Sequence, residues 1–156
     1  MKQRISLVFS IAVMLLSIIS TTALAETDID QHRDCKQCGM DRKAYGYSRM
    51  LLEFRDGRQI GTCSLHCVIT ELGNGKGAEG VTYKVADRDT RKLIGAEKAF
   101  WVIGGKKRGI MTMRAKWAFA TNQTAQKFVA AYGGTVSTWA EALAAAGEDA
   151  APKLRK

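Results

Sequence analysis

The stretch YSRMLLEFRDGRQIGTCSLHCVITELG, residues 47–73, contains the clearest secondary-structure signals in the first half of this 156-residue chain. Near its start the apolar residues Met50, Leu52 and Phe54 recur at every second position, which predicts a strand with one buried face. Asp56-Gly57 is a turn signal, so the chain is expected to fold back as a second strand. The opening of this stretch therefore predicts a β-hairpin.

The second part of the stretch carries the signals of an amphipathic helix. Ser64 is a favoured N-cap residue, and Gly73 is a favoured residue just beyond a helix end. Between them an apolar stripe recurs at helical spacing: Leu65, Val68, Ile69 and Leu72. Cys63 is expected at the start of this helix, and the glycine-rich run 73–80 is expected to be a flexible connector.

The second half of the chain repeats this plan of strands followed by a helix. The predicted strands are 81–86, 99–103, 110–113 and an extended segment in which Trp117 and Phe119 share one face. A helix capped by Thr121 or Asn122 then runs to Gly133-Gly134. Thr138 and Glu141 match a capping box that opens a final helix. We predict an α+β fold of two small strand-strand-helix lobes packed together.

Residues 1–25 have the form of a secretory signal peptide. Lys2 and Arg4 precede an apolar run, and Ala23-Leu24-Ala25 supplies small residues for cleavage before Glu26. The apolar run of about 15 residues is shorter than the roughly 20 that a membrane-spanning helix needs. We expect a cleaved signal and a chain that is periplasmic or otherwise exported and soluble after processing. An uncleaved anchor is the alternative.

The mature chain is expected to contain four segments. They are a metal-motif lead-in and loop at 26–46, whose polar part 26–34 is expected to be mobile, a first lobe at 47–79, a second lobe at 80–147 and a flexible tail at 148–156.

The chain is strongly basic. Its formal net charge is +9, and removal of Lys2 and Arg4 with the signal leaves +7. Such a charge would suggest nucleic acid in a cytosolic protein, but export argues against that partner. The clusters at 106–108 and 114–116 are either a solvated basic face or a surface that steers towards an acidic partner.

The motifs that carry chemistry are two cysteine pairs, Cys35-Lys-Gln-Cys38-Gly39-Met40 and Cys63-Ser-Leu-His66-Cys67. Thiolate and thioether ligands together favour soft ions, and Cu(I) first among them. Zinc uses Cys and His but not Met. Met40 therefore shifts the interpretation towards copper.

Helix geometry predicts how the second cysteine pair is used. Cys63 and Cys67 are four positions apart, so both can face one ion, and the free amides of a helix start should lower their pKa values. His66 points about 100° away from Cys67, which makes it either solvent-facing or a ligand. Met111 and Met113 would project from one face of the predicted strand 110–113, as core residues or as metal ligands.

Three other interpretations of the cysteines remain open. In the oxidising compartment that an exported chain reaches, the cysteines could form structural disulfides with any of three connectivities. The four thiols could instead hold a structural zinc ion in an interaction domain. A thiol oxidoreductase is a further alternative, although Pro152 is the sole proline and a thioredoxin fold needs a cis-proline beside its cysteines.

The sequence also resembles the NosL family of nitrous oxide reductase accessory proteins. The resemblance covers most of the mature chain and begins with the Cys-x-x-Cys-Gly-Met opening and the Asp-Gly hairpin that leads into a cysteine-bearing helix. It continues through Trp101-Val102, Gly104-Gly105, Gly109-x-Met111, Phe119, Ala125, Phe128 and Gly133-Gly134.

This resemblance implies an exported Cu(I) metallochaperone rather than an enzyme, with two α+β lobes. Its implied partners are a copper enzyme such as nitrous oxide reductase and a membrane transport and maturation assembly. The resemblance places Cys38 and Met40 in the metal motif with Cys35 beside them, and matches Cys63 and Met111 to family Cys and Met positions. His66, Cys67 and Met113 are additions to the family pattern.

Glu26 also departs from the family, because lipoprotein members carry Cys as the first mature residue, so no lipid anchor is predicted. The complete set of candidate metal ligands is Cys35, Cys38, Met40, Cys63, His66, Cys67, Met111 and Met113.

Overall fold

The computed structural model describes residues 27–73 and 79–151, which form two antiparallel sheets with accompanying helices. The predicted α+β fold is confirmed. The predicted signal peptide at 1–25, most of the glycine-rich connector and the tail beyond 151 lie outside the described residues. Within the two described ranges, no helix has the length and apolar content that crossing a bilayer requires.

The segment before the first strand is held in place, in contrast to the mobility predicted for 26–34. It forms helix α1 (Asp28–Gln31). The carboxylate of Asp28 contacts the guanidinium groups of Arg42 and Arg49 at 2.8 Å each. The polar composition of the segment gave no sign of this, because both arginines lie downstream and are brought there by the fold.

The first sheet grows from the predicted hairpin. Strand β1 (Met50–Phe54) pairs with β2 (Gln59–Thr62), and Gly57 takes a left-handed φ of 83° in the turn between them. On its other side β1 pairs with β3 (Val81–Ala86), which pairs with β4 (Leu93–Gly95). The strand order is β2-β1-β3-β4.

The helix predicted from the same stretch also forms. Helix α2 (Leu65–Leu72) begins after the N-cap residue Ser64 and ends at Gly73, whose φ of 68° is left-handed. The Ser64 side chain makes no capping hydrogen bond, so this residue supplies only its extended backbone. A short 3-10 helix (Ala96–Lys98) connects β4 to the second half of the chain.

The second sheet has the strand order β6-β5-β7. Its strands are β5 (Phe100–Ile103), β6 (Lys116–Phe119) and β7 (Thr135–Ser137). Helix α3 (Asn122–Tyr132) connects β6 to β7, and the Thr121 side chain caps it as predicted.

The final helix extends further than the sequence predicts. Helix α4 (Trp139–Ala150) opens with the predicted capping box and passes Gly147, where a flexible tail was expected to follow. Its last turn is held because the Asp149 carboxylate pairs with the buried ammonium group of Lys116 from β6. This contact joins positions 33 apart in the chain and therefore left no local signal.

Both sheets follow one plan, in which a hairpin and a helix are followed by a strand that pairs with the first strand of the hairpin. The units are β1-β2-α2-β3 and β5-β6-α3-β7. The sequence assigns 81–86 to the second lobe, but its hydrogen bonds join this strand to the first sheet. The assignment differs because strand pairing depends on distant partners that the local pattern does not contain.

The strand predicted at 110–113 does not form. These residues lie in a loop between β5 and β6 that is closed by a hydrogen bond from Gly104 N to Ala115 O at 2.8 Å. β5 already has β6 and β7 on its two edges, so this sheet offers no position beside β5 for another strand. Met111 has a left-handed φ of 59°, which a regular strand excludes.

The main core contains side chains from both halves of the chain. The first sheet contributes Met50, Leu52, Tyr83 and Val85, the second Trp101 and Ala118, and helices α2 and α4 pack against them. A second core joins the opposite face of the second sheet to α3. A third, smaller cluster consists of cysteines.

Candidate metal centre

The first cysteine pair lies on a tight loop closed by backbone hydrogen bonds. Cys35 N donates to Met40 O at 2.8 Å, and Gly39 N donates to Cys35 O at 2.8 Å. Gly39 has a φ of 74°, a left-handed conformation that glycine adopts without a steric penalty. The loop thus turns Cys35 and Cys38 towards the same side.

The second cysteine pair lies where β2 enters α2. Cys63 precedes the N-cap residue, Cys67 lies in the first helical turn, and their sulfur atoms are 3.6 Å apart. The prediction that residues four apart here face one side is confirmed. The Ser48 hydroxyl donates to the Cys63 carbonyl at 2.8 Å and fixes the backbone at this junction.

All four cysteines converge although the two pairs are distant in sequence. Their sulfur atoms all lie within 4.8 Å of one another, and each cysteine is a free thiol. Three of them form a nearly equilateral triangle, with Cys38–Cys63, Cys63–Cys67 and Cys67–Cys38 distances of 3.6, 3.6 and 3.7 Å.

The size of this triangle matches a thiolate-bound metal ion. An ion at its centre would lie about 2.1 Å from each sulfur, close to the metal–thiolate distance of about 2.3 Å found at zinc sites. An ion about 0.9 Å out of the plane of the triangle would lie at that distance from all three sulfurs. The fourth sulfur lies within 4.8 Å of the other three. The arrangement therefore fits either three or four sulfur ligands.

The cluster is closed on the helix side and more open at the loop. Cys63 and Cys67 have no exposed surface and Cys35 is 2% exposed, whereas Cys38 is half-buried. Met40, Tyr45 and Ile110 are partly buried and pack against the cysteines. A metal ion would therefore meet Cys38 first.

The thiols differ in how readily they ionise. Burial raises the pKa of Cys38 to about 11. The hydrogen bond with Cys67, together with burial, raises the pKa of Cys63. Burial also acts to raise the pKa of Cys35, but the backbone amides of Cys38 and Cys63 outweigh it, and the net shift is downwards.

The lowered pKa predicted for the helix start is therefore wrong for Cys63. This residue comes before the N-cap, is fully buried and faces neighbouring thiols rather than the free amides. Metal binding must displace protons from such thiols, which links metal affinity to pH.

Comparison with known proteins identifies the family of this chain. The NosL family model matches residues 26–146. The chain belongs to the NosL family. A solved structure titled the copper chaperone NosL from Shewanella denitrificans is similar, with 21% identity, a TM-score of 0.59, and coverage of 74% of this chain and 92% of that one. At this identity the likeness shows a shared fold. No curated protein matches the chain.

In this NosL-family chain the other candidate ligands lie outside the four-cysteine group. Met111 and Met113 are 47% and 84% exposed on the loop between β5 and β6, and Ile110 is the residue of that loop that packs against the cysteines. Their predicted placement on a strand is wrong. Their roles as ligands remain predictions.

His66 lies on α2 but is not part of the four-cysteine group. Its neighbours include the charges of Lys116 and Asp149, and its Nδ1 atom is buried with no hydrogen-bond partner among the described residues. Burial, followed by the charge of Lys116, lowers its pKa. A ligand role for His66 likewise remains a prediction.

One residue that supports the cysteine cluster carries no sequence signal. The fully buried guanidinium of Arg42 donates to Thr62 O at 3.2 Å, to Met50 O at 3.0 Å and to the Asp28 carboxylate at 2.8 Å. Arg42 follows the cysteine loop, and Thr62 precedes Cys63. The arginine therefore fixes one cysteine pair relative to the other.

Proposed function

We propose that this chain is an exported Cu(I) carrier rather than an enzyme, with its cargo held by the cysteine cluster. The observation that best supports this proposal is the convergence of four free thiols, with Met40 packed against them. A site of thiolates and a thioether selects soft ions such as Cu(I). Membership of the NosL family, and the copper-chaperone title of the similar structure, support the same cargo.

The proposed ligands are Cys35, Cys38, Met40, Cys63 and Cys67. Cu(I) is satisfied by few ligands, so the set exceeds what one ion needs at a time. A surplus of neighbouring thiolates lets an incoming ligand replace one bond while the others hold the ion. The half-buried Cys38 is the first thiolate that a partner would reach, which suits transfer.

The proposed recipient is a periplasmic copper enzyme such as nitrous oxide reductase, reached with the help of a membrane maturation assembly. The signal-like segment 1–25 supports export, and the family supports the client.

The first test measures Cu(I) and Zn(II) affinities of the reduced mature chain by competition with chromophoric chelators. We expect one tightly held Cu(I), with Cu(I) preferred over Zn(II), and a Cys38→Ser variant weakened by about a hundredfold. Wild-type Cu(I) affinity in Cys38→Ser would remove Cys38 from the site. Failure of the wild-type chain to retain Cu(I) would refute the carrier function.

A structural zinc site is the second candidate. The sulfur spacing of 3.6 to 3.7 Å also fits tetrahedral zinc, and an ion there would join the loop to α2. A zinc-structured domain would unfold when the metal is chelated. The carrier instead predicts that the metal-free chain keeps its circular dichroism spectrum, because its main core does not include the cysteines.

A further inference from the structure

A cleft of about 440 Å³ opens between the β3–β4 turn and the β5–β6 loop. The turn contributes Arg88 and Arg91, and the loop contributes Lys107 and Arg108. Among the described residues that line the cleft, Asp89 is the one that carries a carboxylate. The lining is therefore strongly cationic.

Most of this positive charge is uncompensated. The Asp89 carboxylate bonds Arg88 at 2.7 Å. Among residues 27–73 and 79–151, no carboxylate forms an ion pair with Arg91, Lys107 or Arg108. Three cations thus remain available to an incoming anion.

The turn that carries two of the cations is built rigidly. The buried carboxylate of Asp87 accepts hydrogen bonds from Thr90 N at 3.1 Å and from Ala120 N at 3.1 Å. Arg91 has a left-handed φ of 61°, and its carbonyl accepts from Arg49 at 2.7 Å. Residues other than glycine rarely adopt this backbone conformation unless surrounding contacts impose it. Such backbone strain is concentrated at functional sites.

Two of the four cations that line the cleft stack on aromatic rings. Arg88 lies over the ring of Phe128 at 4.8 Å, and Lys107 lies over the ring of Tyr132 at 4.9 Å. Both rings belong to α3, so the turn and the loop present their charges against one helix.

The cleft also has an aromatic wall, formed by Tyr47 and Trp117 with ring centroids 5.8 Å apart. The buried indole nitrogen of Trp117 has no hydrogen-bond partner within the described part of the chain. A wall of this kind together with several spaced cations suits a peptide with carboxylates and an apolar side chain better than it suits one small anion.

This wall continues to the metal centre. Tyr47 contacts Tyr45 with ring centroids 6.4 Å apart, and Tyr45 packs against the cysteines. A chain bound in the cleft would therefore lie two aromatic rings from the cargo.

We propose that this basic cleft docks an acidic segment of the protein that exchanges copper with this chain, an inference that rests on the proposed function. Carboxylates of that segment pair with Arg91, Lys107 and Arg108. An apolar side chain packs on Tyr47, which is the partly exposed ring of the aromatic wall, whereas Trp117 is buried behind it. Charge complementarity accelerates encounter and selects the partner. The metal itself then passes by thiolate exchange at the neighbouring cluster.

The test uses a short fluorescent polyglutamate peptide with one tyrosine, and the reduced mature chain at low ionic strength. Binding is followed by fluorescence anisotropy. Two variants remove charge from the cleft: Arg91→Glu/Lys107→Glu, and the loop-only Lys107→Glu/Arg108→Glu. The control Lys98→Glu/Lys127→Glu makes the same charge change at exposed lysines outside the cleft lining. Circular dichroism checks folding, and Cu(I) affinity is measured separately for every protein.

We expect both cleft variants to bind the peptide about tenfold or more weakly and the control to change by less than about twofold, all with unchanged Cu(I) affinity. Equal weakening in the control would overturn the proposal, since general surface charge would explain binding. Displacement of the peptide by inorganic phosphate at equal concentration would also overturn it, in favour of a small-anion site. Tight Cu(I) binding without peptide binding would refute the docking role of the cleft while leaving the carrier function intact.

Discussion

The sulfur of Cys38 lies 3.6 Å from the sulfur of Cys63, although 25 positions separate them in the chain. The cysteine loop and the start of α2 are thus in contact through their thiols. The buried Arg42 stabilises the same junction by bonding the carbonyl before Cys63. The metal centre is therefore a product of tertiary folding, and it can be tested by perturbing either the ligands or their support.

Met40 should contribute to the affinity for Cu(I) but not to the affinity for Zn(II). Met40→Leu keeps the size of the side chain but removes the thioether, so we expect Cu(I) affinity to fall about tenfold and Zn(II) affinity to stay within about twofold. Met50→Leu is the matched control, since Met50 is fully buried in the main core and outside the cysteine cluster. Chelator competition measures both affinities. Equal Cu(I) affinities in the two variants would exclude Met40 as a ligand.

The metal-free chain should lose stability at high pH. The pKa of Cys38 rises from 9.0 to about 11 on folding, so the folded state resists ionisation of this thiol. A raised folded pKa contributes stability below pH 9 that disappears as the pH rises towards about 11. Urea unfolding of reduced protein across this range measures the loss.

Lysines and tyrosines titrate in the same range, so Cys38→Ser is the control. Its free energy of unfolding should depend less steeply on pH between 9 and 11 than that of the wild type. Identical slopes would show that the Cys38 thiol is not responsible.

Gly61 should be essential for the position of the Arg42 side chain. A Cβ at this position would lie 2.6 Å from Cζ of Arg42 and 2.7 Å from Cβ of His32. Because Arg42 is fully buried and held by several hydrogen bonds, it has no room to move. We expect Gly61→Ala to lower the free energy of unfolding by about 2 to 3 kcal/mol and to weaken metal binding.

Gly95 provides a matched strand control. A Cβ there meets nothing within 4 Å, so Gly95→Ala should change the free energy of unfolding by less than about 1 kcal/mol. Denaturant titration of both variants, followed by chelator competition, completes the comparison. Similar stabilities for the two variants would mean that Arg42 is not held as tightly as its contacts indicate.

Asp149 should anchor the end of α4. Asp149→Asn leaves the buried ammonium of Lys116 without its carboxylate, and we expect a loss of about 2 kcal/mol in the free energy of unfolding. Glu148→Gln is the control at the adjacent position, where the side chain is 68% exposed and an exposed ion pair contributes little. Thermal unfolding distinguishes them, and equal midpoints would contradict the anchoring role.

Local signals predicted the local structure well. Asp56-Gly57 marked the hairpin, Gly73 marked the end of α2, and the capping box at Thr138 marked the start of α4, each through contacts within a few residues. The convergence of Cys63 and Cys67 was also predictable from their four-residue spacing at a helix start, although Cys63 itself lies before the N-cap residue.

The features that sequence could not reveal depend on distant partners. Met111 and Met113 occupy every second sequence position, as residues on one face of a strand do, but both edges of β5 are taken by β6 and β7 and Met111 has a left-handed φ of 59°. The lead-in is held by Arg42 and Arg49 binding Asp28, a contact made only once β1 is in place.

Binding of Cu(I) by the cysteine cluster can be observed in the X-ray absorption spectrum of the mature chain loaded with one equivalent of Cu(I). We expect an edge typical of Cu(I) and an ion surrounded by about three sulfur atoms at roughly 2.1 to 2.3 Å, since the Cys38, Cys63 and Cys67 triangle sets that distance. A shell dominated by nitrogen or oxygen would contradict it, because the copper would then be bound away from the cysteine cluster.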